Sequence, residues 1–206
     1  MGRLLVWREG DDLPRGLIQV LKEDGVAVIP TETLYALAAR AFSPDALELV
    51  YEIKGRERGK ALSLFFSGVE DLERYFHFTP LAKRLAERFL PGPLTLVLKP
   101  KRAFPPPLVG PTGGVGVRVP GHPLPRMVVE ALGEPITATS ANVSGGEDPL
   151  TVEELPGSIL SKVALVVDGG RVPGVPSTVV DLTRGTLRVL REGVLSVEEV
   201  EEAAYG

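Results

Sequence analysis

Short runs of β-branched and aliphatic residues alternate with amphipathic stretches along almost the whole chain, and this alternation restricts the fold more than any other feature of the sequence. Apolar residues at helical spacing predict helices over 17–22, 43–53, 69–76, 81–89, 124–132 and 196–204. Short apolar runs predict strands over 26–29, 61–66, 94–98, 115–119, 136–139, 163–167, 178–182 and 187–190. Helices interleaved with strands favour an α/β fold with a twisted mixed sheet flanked by helices.

The composition indicates one domain over residues 1–206, because 44% of the residues are apolar and neither a linker nor a repeat interrupts them. The net charge of -4 argues against a surface that follows a nucleic-acid backbone throughout, but it allows a local basic groove. The absence of cysteine excludes disulfides, thiolate metal sites and a cysteine nucleophile. The apolar run near the N-terminus is too short for a signal peptide or a membrane span, so we expect a cytoplasmic protein.

Familiar catalytic motifs do not fit the sequence. The stretch from Gly55 to Ala61 resembles a P-loop, but its glycines are too close together and Ala61 lacks the hydroxyl that binds Mg²⁺. His77 and His122 are the only histidines, which excludes a zinc site built on several of them. No G-x-S-x-G elbow is present, which disfavours a serine hydrolase.

Polar residues are concentrated in a few clusters at the ends of predicted strands. Open α/β sheets build their ligand crevices at such ends, so we expect the clusters to lie close together. The clusters are PTETLYAL from Pro30, KGRERGK from Lys54, RVPGHP from Arg118, TATSANVSG from Thr137, and PSTVVD from Pro176, with LREG from Leu190 following.

Together with 91–95, these clusters match an ordered set of motifs: P-T-[ED]-T-x-Y, K-x-R, P-G-P-x-T, R-x-P-x-H, T/P-S-A-N, S-T-[VI]-[VI] and R-x-G. The matching segments are 30–35, 54–56, 91–95, 118–122, 139–142, 177–180 and 191–193. On these residues the sequence resembles the YrdC domain family, the threonylcarbamoyl-AMP synthases. The resemblance extends over a core of about 12–195 and is closest to the short, stand-alone form, which implies a YrdC-like α/β fold.

The resemblance implies an enzyme, a nucleotidyltransferase that uses ATP with Mg²⁺. Its substrates are L-threonine, bicarbonate or CO₂, and ATP, and its products are threonylcarbamoyl-AMP, used for a tRNA modification, and pyrophosphate. It further implies tRNA and a downstream threonylcarbamoyl transferase as possible partners, and no membrane. No protein ligand for Mg²⁺ is identified: Glu32, Asp168 and Asp181 are candidates by type, and each is better explained as a cap, turn or salt-bridge residue.

Displacement at the α-phosphate of ATP requires positioned cations rather than a protein nucleophile. By resemblance, Arg56 and Lys60 stabilise the developing charge, and Ser140 contacts the nucleotide with support from Asn142. The complete set predicted to bind ATP is Lys54, Arg56, Lys60, Ser140, Asn142 and Arg191. Without the resemblance, the charged residues at 54–60 would be more typical of a solvated charge run at the end of a helix. The residues at 139–142 would be more typical of a turn.

The threonine substrate must be held by its carboxylate, hydroxyl and methyl groups. Arg118 is predicted to pair with the carboxylate, while Thr33 and Ser177 resemble the family's amino-acid contacts. The alternative for Arg118 is a surface charge on a strand. His122 is expected to be structural, and His77 to lie at the surface.

Three positions depart from the family pattern, and three rival functions remain open. Ala36 stands where glycine is common, and Glu57 and Ala61 stand where prolines are frequent, so a paralogue acting on a related carbamoyl substrate is one alternative. A non-catalytic RNA-binding module is the second, and its binding would weaken steeply with salt. A carbamoyl-transfer domain of hydrogenase maturation type is the third, which the chain length disfavours.

Overall fold

The computed structural model describes residues 3–206, and within them the chain forms eleven strands and seven helices. The strands are β1 (Arg3–Val6), β2 (Ala27–Ile29), β3 (Ala36–Ala38), β4 (Leu64–Phe65), β5 (Leu94–Leu98), β6 (Val115–Arg118), β7 (Ile136–Thr137), β8 (Thr139–Ser140), β9 (Leu165–Asp168), β10 (Thr178–Asp181) and β11 (Arg188–Arg191). The helices are α1 (Arg15–Lys22), α2 (Pro44–Lys54), α3 (Val69–Tyr75), α4 (Pro80–Phe89), α5 (Pro123–Leu132), α6 (Gly157–Leu160) and α7 (Val197–Tyr205). The assignment of one domain to 1–206 stays a prediction, and its first two residues lie outside the described part.

The strands form two mixed sheets, which confirms the predicted α/β class. The sequence had indicated one mixed sheet rather than two. One sheet has the order β1-β9-β2-β3-β8 and the other the order β11-β10-β5-β6-β4-β7. The chain passes from one sheet to the other between β7 and β8, through Ala138. Beside this crossing the Thr137 hydroxyl accepts from the amide of Ala39 and donates to the carbonyl of Leu37. The sheets therefore meet next to the predicted nucleotide contact Ser140.

Local sequence explains why α2 begins and ends where it does. The Ser43 hydroxyl accepts a hydrogen bond from the amide of Ala46, and Pro44 occupies the first turn, as predicted. Gly55 ends the helix in the left-handed conformation, with φ of 56°. Because the helix ends there, Lys54 lies in its last turn and Arg56 in the loop that follows.

The hydrophobic core is shared by the two sheets. Its larger cluster includes Val28 and Leu37 from the five-stranded sheet together with Leu64 and Leu96 from the six-stranded sheet. A smaller cluster packs α1 and α5 against the five-stranded sheet. Burial of each such aliphatic side chain contributes roughly 1.5–3 kcal/mol, so packing between the sheets is a major source of stability.

Two strands were not predicted from the sequence, and both depend on tertiary pairing. The three residues of β3, Ala36, Leu37 and Ala38, have little intrinsic preference for a strand. They are extended because β3 pairs with β2 on one side and β8 on the other. Strand β1 is added to the sheet edge by parallel pairing with β9. No helix within 3–206 combines the length and hydrophobicity that crossing a bilayer requires.

Candidate active site

A cavity of about 170 Å³ brings together side chains from both sheets and from the loops that join them. Six of the nine residues predicted to bind substrate line it: Thr33, Arg56, Arg118, Ser140, Ser177 and Arg191. Its wall also contains residues for which no role was predicted: Thr31, Ser63, Phe65, Thr95 and Thr139. For Thr31, Thr95 and Thr139 the signal was present, since all three lie within matched motifs.

Arg118 is fixed by three hydrogen bonds at the buried end of β6. Its Nε donates to the carbonyl oxygen of Gly92 at 2.9 Å, and one terminal nitrogen donates to Oγ1 of Thr33 at 3.1 Å. The other terminal nitrogen donates to Oε1 of Glu32 at 2.6 Å. A guanidinium carries five N–H groups, so two remain for a ligand. Arg118 is 5% exposed, so it is not a surface charge on a strand.

Glu32 balances the charge of Arg118, which fits the salt-bridge role that the sequence favoured for it over a metal ligand. Burial on its own would raise the pKa of Glu32, but the Arg118 guanidinium and the amide of Gly121 overcome this effect and lower the pKa. Burial lowers the pKa of Arg118 in turn, and Glu32 opposes that shift. Glu32 Oε2 also accepts from the amide of His122, whose Nδ1 accepts from Leu124 at the start of α5. His122 thus has a structural role, as expected.

Arg56 and Arg191 are oriented by backbone carbonyl groups rather than by carboxylates. Arg56 donates from Nε to the carbonyl of Lys60 at 2.9 Å and from a terminal nitrogen to that of Ala61 at 3.1 Å. Arg191 donates from Nε and a terminal nitrogen to the carbonyl of Ser177. Among the described residues neither guanidinium forms an ion pair. Burial lowers the pKa of both, which marks them as sites where an anion is favourable.

Ser177 connects the Arg191 side of the cavity to β5. Its Oγ lies 2.9 Å from Oγ1 of Thr95, and either hydroxyl can be the donor. A terminal nitrogen of Arg191 lies 3.3 Å from the same Oγ. The Ser177 hydroxyl is therefore able to donate to a ligand or to accept from one.

Lys54 lies beneath the cavity and does not line it. The side chain is 1% exposed, and Nζ donates to the carbonyls of Ser140 and Asn142 and to Oδ1 of Asn142. Burial, together with the charge of Arg56, lowers the pKa of Lys54 to about 8, against the attraction of Asp148. Asn142 also lies behind the wall, and its Oδ1 accepts from the Ser140 hydroxyl. The predicted support of Ser140 by Asn142 thus has a geometric basis.

The ammonium of Lys60 points away from the cavity lining. Its side chain is 61% exposed, and Nζ pairs with Glu57 at 3.0 Å. The carbonyl oxygen of Lys60, rather than its charge, contacts the site through Arg56 and through the hydroxyl of Tyr51. The short loop after α2 turns Arg56 toward the cavity and Lys60 outward, so the predicted contact between Lys60 and ATP stays a prediction.

The described residues contain no group of three acidic, histidine or cysteine side chains able to hold a metal ion. The three acidic candidates are engaged elsewhere: Glu32 binds Arg118, Asp168 accepts from the amide of Gly170, and Asp181 accepts from Thr183. Mg²⁺ in nucleotide sites is commonly held by substrate phosphates and water with few protein ligands.

Comparisons with known proteins agree with this geometry. The Sua5_yciO_yrdC family model, described as "Telomere recombination", matches residues 19–193. A putative threonylcarbamoyl-AMP synthase of Methanocaldococcus jannaschii is 36% identical over 85% of this chain and 83% of its own length. The threonylcarbamoyl-AMP synthase of Pyrococcus abyssi is 37% identical over 88% of this chain, which spans only 54% of that relative. The crystal structure of P. abyssi Sua5 complexed with L-threonine is 34% identical and superposes with a TM-score of 0.91, over 98% of this chain and 61% of that one.

Proposed function

Because this chain belongs to the Sua5/YciO/YrdC family, we propose that it is a threonylcarbamoyl-AMP synthase. It is a nucleotidyltransferase that converts L-threonine, bicarbonate or CO₂, and ATP into threonylcarbamoyl-AMP and pyrophosphate. The observation that carries the proposal is the charge pattern of one cavity. Arg56 and Arg191 form no ion pair within the described residues, while Arg118 is paired with Glu32.

Arg118, whose charge is balanced by Glu32, suits the carboxylate of an amino acid. The two remaining N–H groups of Arg118 are available for the threonine carboxylate, and they lie beside the hydroxyl of Thr33. Ser177 supplies a second hydroxyl for the polar groups of the substrate. A threonine zwitterion carries no net charge, so its binding leaves the charges of Arg118 and Glu32 balanced. Among the relatives, the P. abyssi protein is known with L-threonine bound.

Arg56 and Arg191, which form no ion pair within the described residues, suit a triphosphate. Arg56 and Arg191 each retain N–H groups that the protein does not use, and phosphate oxygens are their natural acceptors. When bound, Mg²⁺ supplies further neutralisation of the triphosphate. We assign the electrostatic role to Arg56 and Arg191, because the ammonium of Lys60 lies at the surface.

The reaction needs no covalent intermediate with the protein. The threonine ammonium first gives one proton to water, the free amine attacks the carbon of carbon dioxide, and a second proton passes to water as the carbamate forms. A carbamate oxygen then attacks the α-phosphorus of ATP, the bond between the α-phosphorus and the bridging oxygen breaks, and pyrophosphate leaves. Negative charge gathers on the phosphoryl oxygens during this step, and prearranged guanidinium groups stabilise it.

The product contains a reactive mixed anhydride and must pass to an acceptor. We place the protein in the cytoplasm, where ATP and tRNA are found, and assign it a downstream transferase that moves the threonylcarbamoyl group to adenosine in tRNA. Direct contact with tRNA belongs to the same proposal, because Arg56, Arg118 and Arg191 make the lining of the cavity basic.

Release of pyrophosphate from ATP is the test of this function. We expect release only when threonine and bicarbonate are both supplied. In a reaction with ¹³C-bicarbonate, we expect mass spectrometry to show one ¹³C atom incorporated into the adenylate product. Each amino acid is tested in turn, with reactions that lack threonine, bicarbonate or Mg²⁺ as controls.

Two results would contradict the assignment. Release that occurs with serine but not with threonine indicates a paralogue with another substrate. No release at all, together with tRNA binding that weakens steeply as salt rises, favours the RNA-binding module.

A further inference from the structure

The buried ammonium of Lys54 acts on the cavity through its neighbours. An ammonium has three N–H donors and no acceptor. In Lys54 all three donors find protein acceptors, namely the carbonyl oxygens of Ser140 and Asn142 and Oδ1 of Asn142. The distances to the two oxygens of Asn142 are 3.0 Å and 2.9 Å. Lys54 therefore has no donor left for a substrate.

The side-chain amide of Asn142 has one permitted orientation. Its Oδ1 faces the ammonium of Lys54, and its Nδ2 donates to the carbonyl of Gly146 at 2.8 Å. The reverse orientation would place an NH₂ group against an ammonium and a carbonyl against a carbonyl. Hydrogen-bond partners on both sides thus assign the oxygen, which is the information that such an assignment requires.

The direction of the Ser140 hydroxyl follows from this orientation. Its Oγ lies 2.7 Å from Oδ1 of Asn142. An amide oxygen has no proton to give and a hydroxyl has one, so Ser140 must be the donor in this bond. Only the lone pairs of Oγ remain for the cavity that Ser140 lines. The Ser177 hydroxyl differs, because its bond with Thr95 can run in either direction.

We propose that Lys54 and Asn142 turn the Ser140 hydroxyl into an obligate hydrogen-bond acceptor, so that Ser140 recognises an N–H or O–H group of a substrate and not a phosphate oxygen. The substrate class rests on the proposed function. Its donors are the amino and hydroxyl groups of threonine and the amino and ribose hydroxyl groups of adenosine. Lys54 and Asn142 are positioning residues in this arrangement, and Ser140 makes the contact.

Neutron diffraction tests the direction of the hydroxyl independently of any activity. Crystals of the wild-type protein are exchanged into deuterated solvent at a pD near 6.5, where Lys54 is fully charged. We expect the Ser140 deuteron on the line to Oδ1 of Asn142 and three deuterons on Nζ of Lys54. A Ser140 deuteron that points into the cavity overturns the proposal whatever the protein catalyses.

Calorimetry with Ser140→Ala then identifies the group that is recognised. ATP with Mg²⁺, adenosine and threonine are titrated separately into wild-type protein and variant at a pH of about 7, where Lys54 is charged and magnesium-bound ATP carries almost no phosphate proton. Loss of one hydrogen bond predicts affinity about 5- to 10-fold weaker. If adenosine supplies the donor, ATP and adenosine lose affinity equally; if threonine supplies it, threonine alone loses affinity. A loss for ATP without one for adenosine, or no loss for any ligand, overturns the proposal.

A double-mutant cycle separates positioning from a merely structural role. We expect Lys54→Met to reduce the affinity for the same ligand that Ser140→Ala affects. The affinity of the double variant for that ligand should be no lower than that of the weaker-binding single variant. Additive losses would show that Lys54 does not act through Ser140. Should Lys54→Met fail to fold, Asn142→Ala replaces it in the cycle, with the same expected non-additivity.

Discussion

At the scale of single residues, the same side-chain type serves two purposes in one cavity. Arg118 is buried with a carboxylate partner, and its charge is balanced before any ligand arrives. Arg56 and Arg191 are held by carbonyl oxygens, which orient a guanidinium without neutralising it. Neither guanidinium forms an ion pair within the described residues, so both remain available to a bound anion.

Arg56→Ala is expected to lower kcat/KM for ATP by a factor on the order of 100 or more, because it removes a fixed cation from the site of charge development. Arg58→Ala is the matched control, since that side chain is 78% exposed and pairs with Glu48 at the surface. We expect it to change kcat/KM by less than about twofold. Pyrophosphate release measures both variants, and circular dichroism verifies the fold. Equal activity of the two variants would contradict the role of Arg56.

At the scale of elements, α2 links local folding signals to the site. Its N-terminus is capped by Ser43 and its C-terminus by Gly55, so the sequence determines where the helix ends. The end of the helix in turn places Lys54 under β8 and Arg56 beside the cavity. Tertiary packing contributes more to such a helix than its caps, because α2 buries residues such as Leu47 and Val50 along its length.

Ser43→Ala is expected to lower the free energy of unfolding by about 1 kcal/mol, since the amide of Ala46 loses its partner. Activity at 25 °C should stay close to that of the wild type, because packing keeps α2 in place. Urea denaturation measures the change. Exposed Ser158→Ala serves as the control and should alter stability by less than about 0.5 kcal/mol. A loss of activity without a loss of stability in Ser43→Ala would show that the cap affects the site directly.

At the scale of the whole molecule, the site lies where two sheets meet. Arg118 ends β6 of the six-stranded sheet, and Glu32 lies in the segment between β2 and β3 of the five-stranded sheet. Their ion pair therefore joins the two sheets across the cavity. Breaking one partner of a buried pair is strongly destabilising, because the other charge is left uncompensated.

The pKa of Glu32 is lower in the folded protein than its ordinary value of 4.5. Its contribution to stability is therefore complete above pH 4.5 and is lost as the pH falls through the folded pKa. We expect Glu32→Gln to lower the free energy of unfolding by about 2 kcal/mol at pH 7. The difference from the wild type should narrow as the pH falls below 4.5.

Denaturant unfolding at pH 7, 5, 4 and 3 measures this dependence. Glu87→Gln is the control, because its pair with Lys83 is exposed and spans 3.9 Å. We expect that control to differ from the wild type by less than about 0.5 kcal/mol at every pH. A Glu32→Gln variant whose deficit does not change with pH would show that the charge of Glu32 does not stabilise the two-sheet arrangement.

The alternation of strand and helix patterns, the cap at Ser43 and the ordered motifs were sufficient to predict the α/β class, most elements and the family. These signals are local, or are short patterns tied to particular residue types, so a linear sequence carries them. The six predicted residues that line the cavity were found in the same way, through the motifs that contain them.

Only the tertiary structure decided how the strands divide between two sheets and which cations face the cavity. Residues 36–38 become a strand through partners distant in sequence, and Lys54 is used internally because β8 passes over the end of α2. The motif that contains Lys54, Arg56 and Lys60 does not encode which side chain turns inward. Contacts between distant segments determine side-chain direction, and the same contacts fix the proton of Ser140.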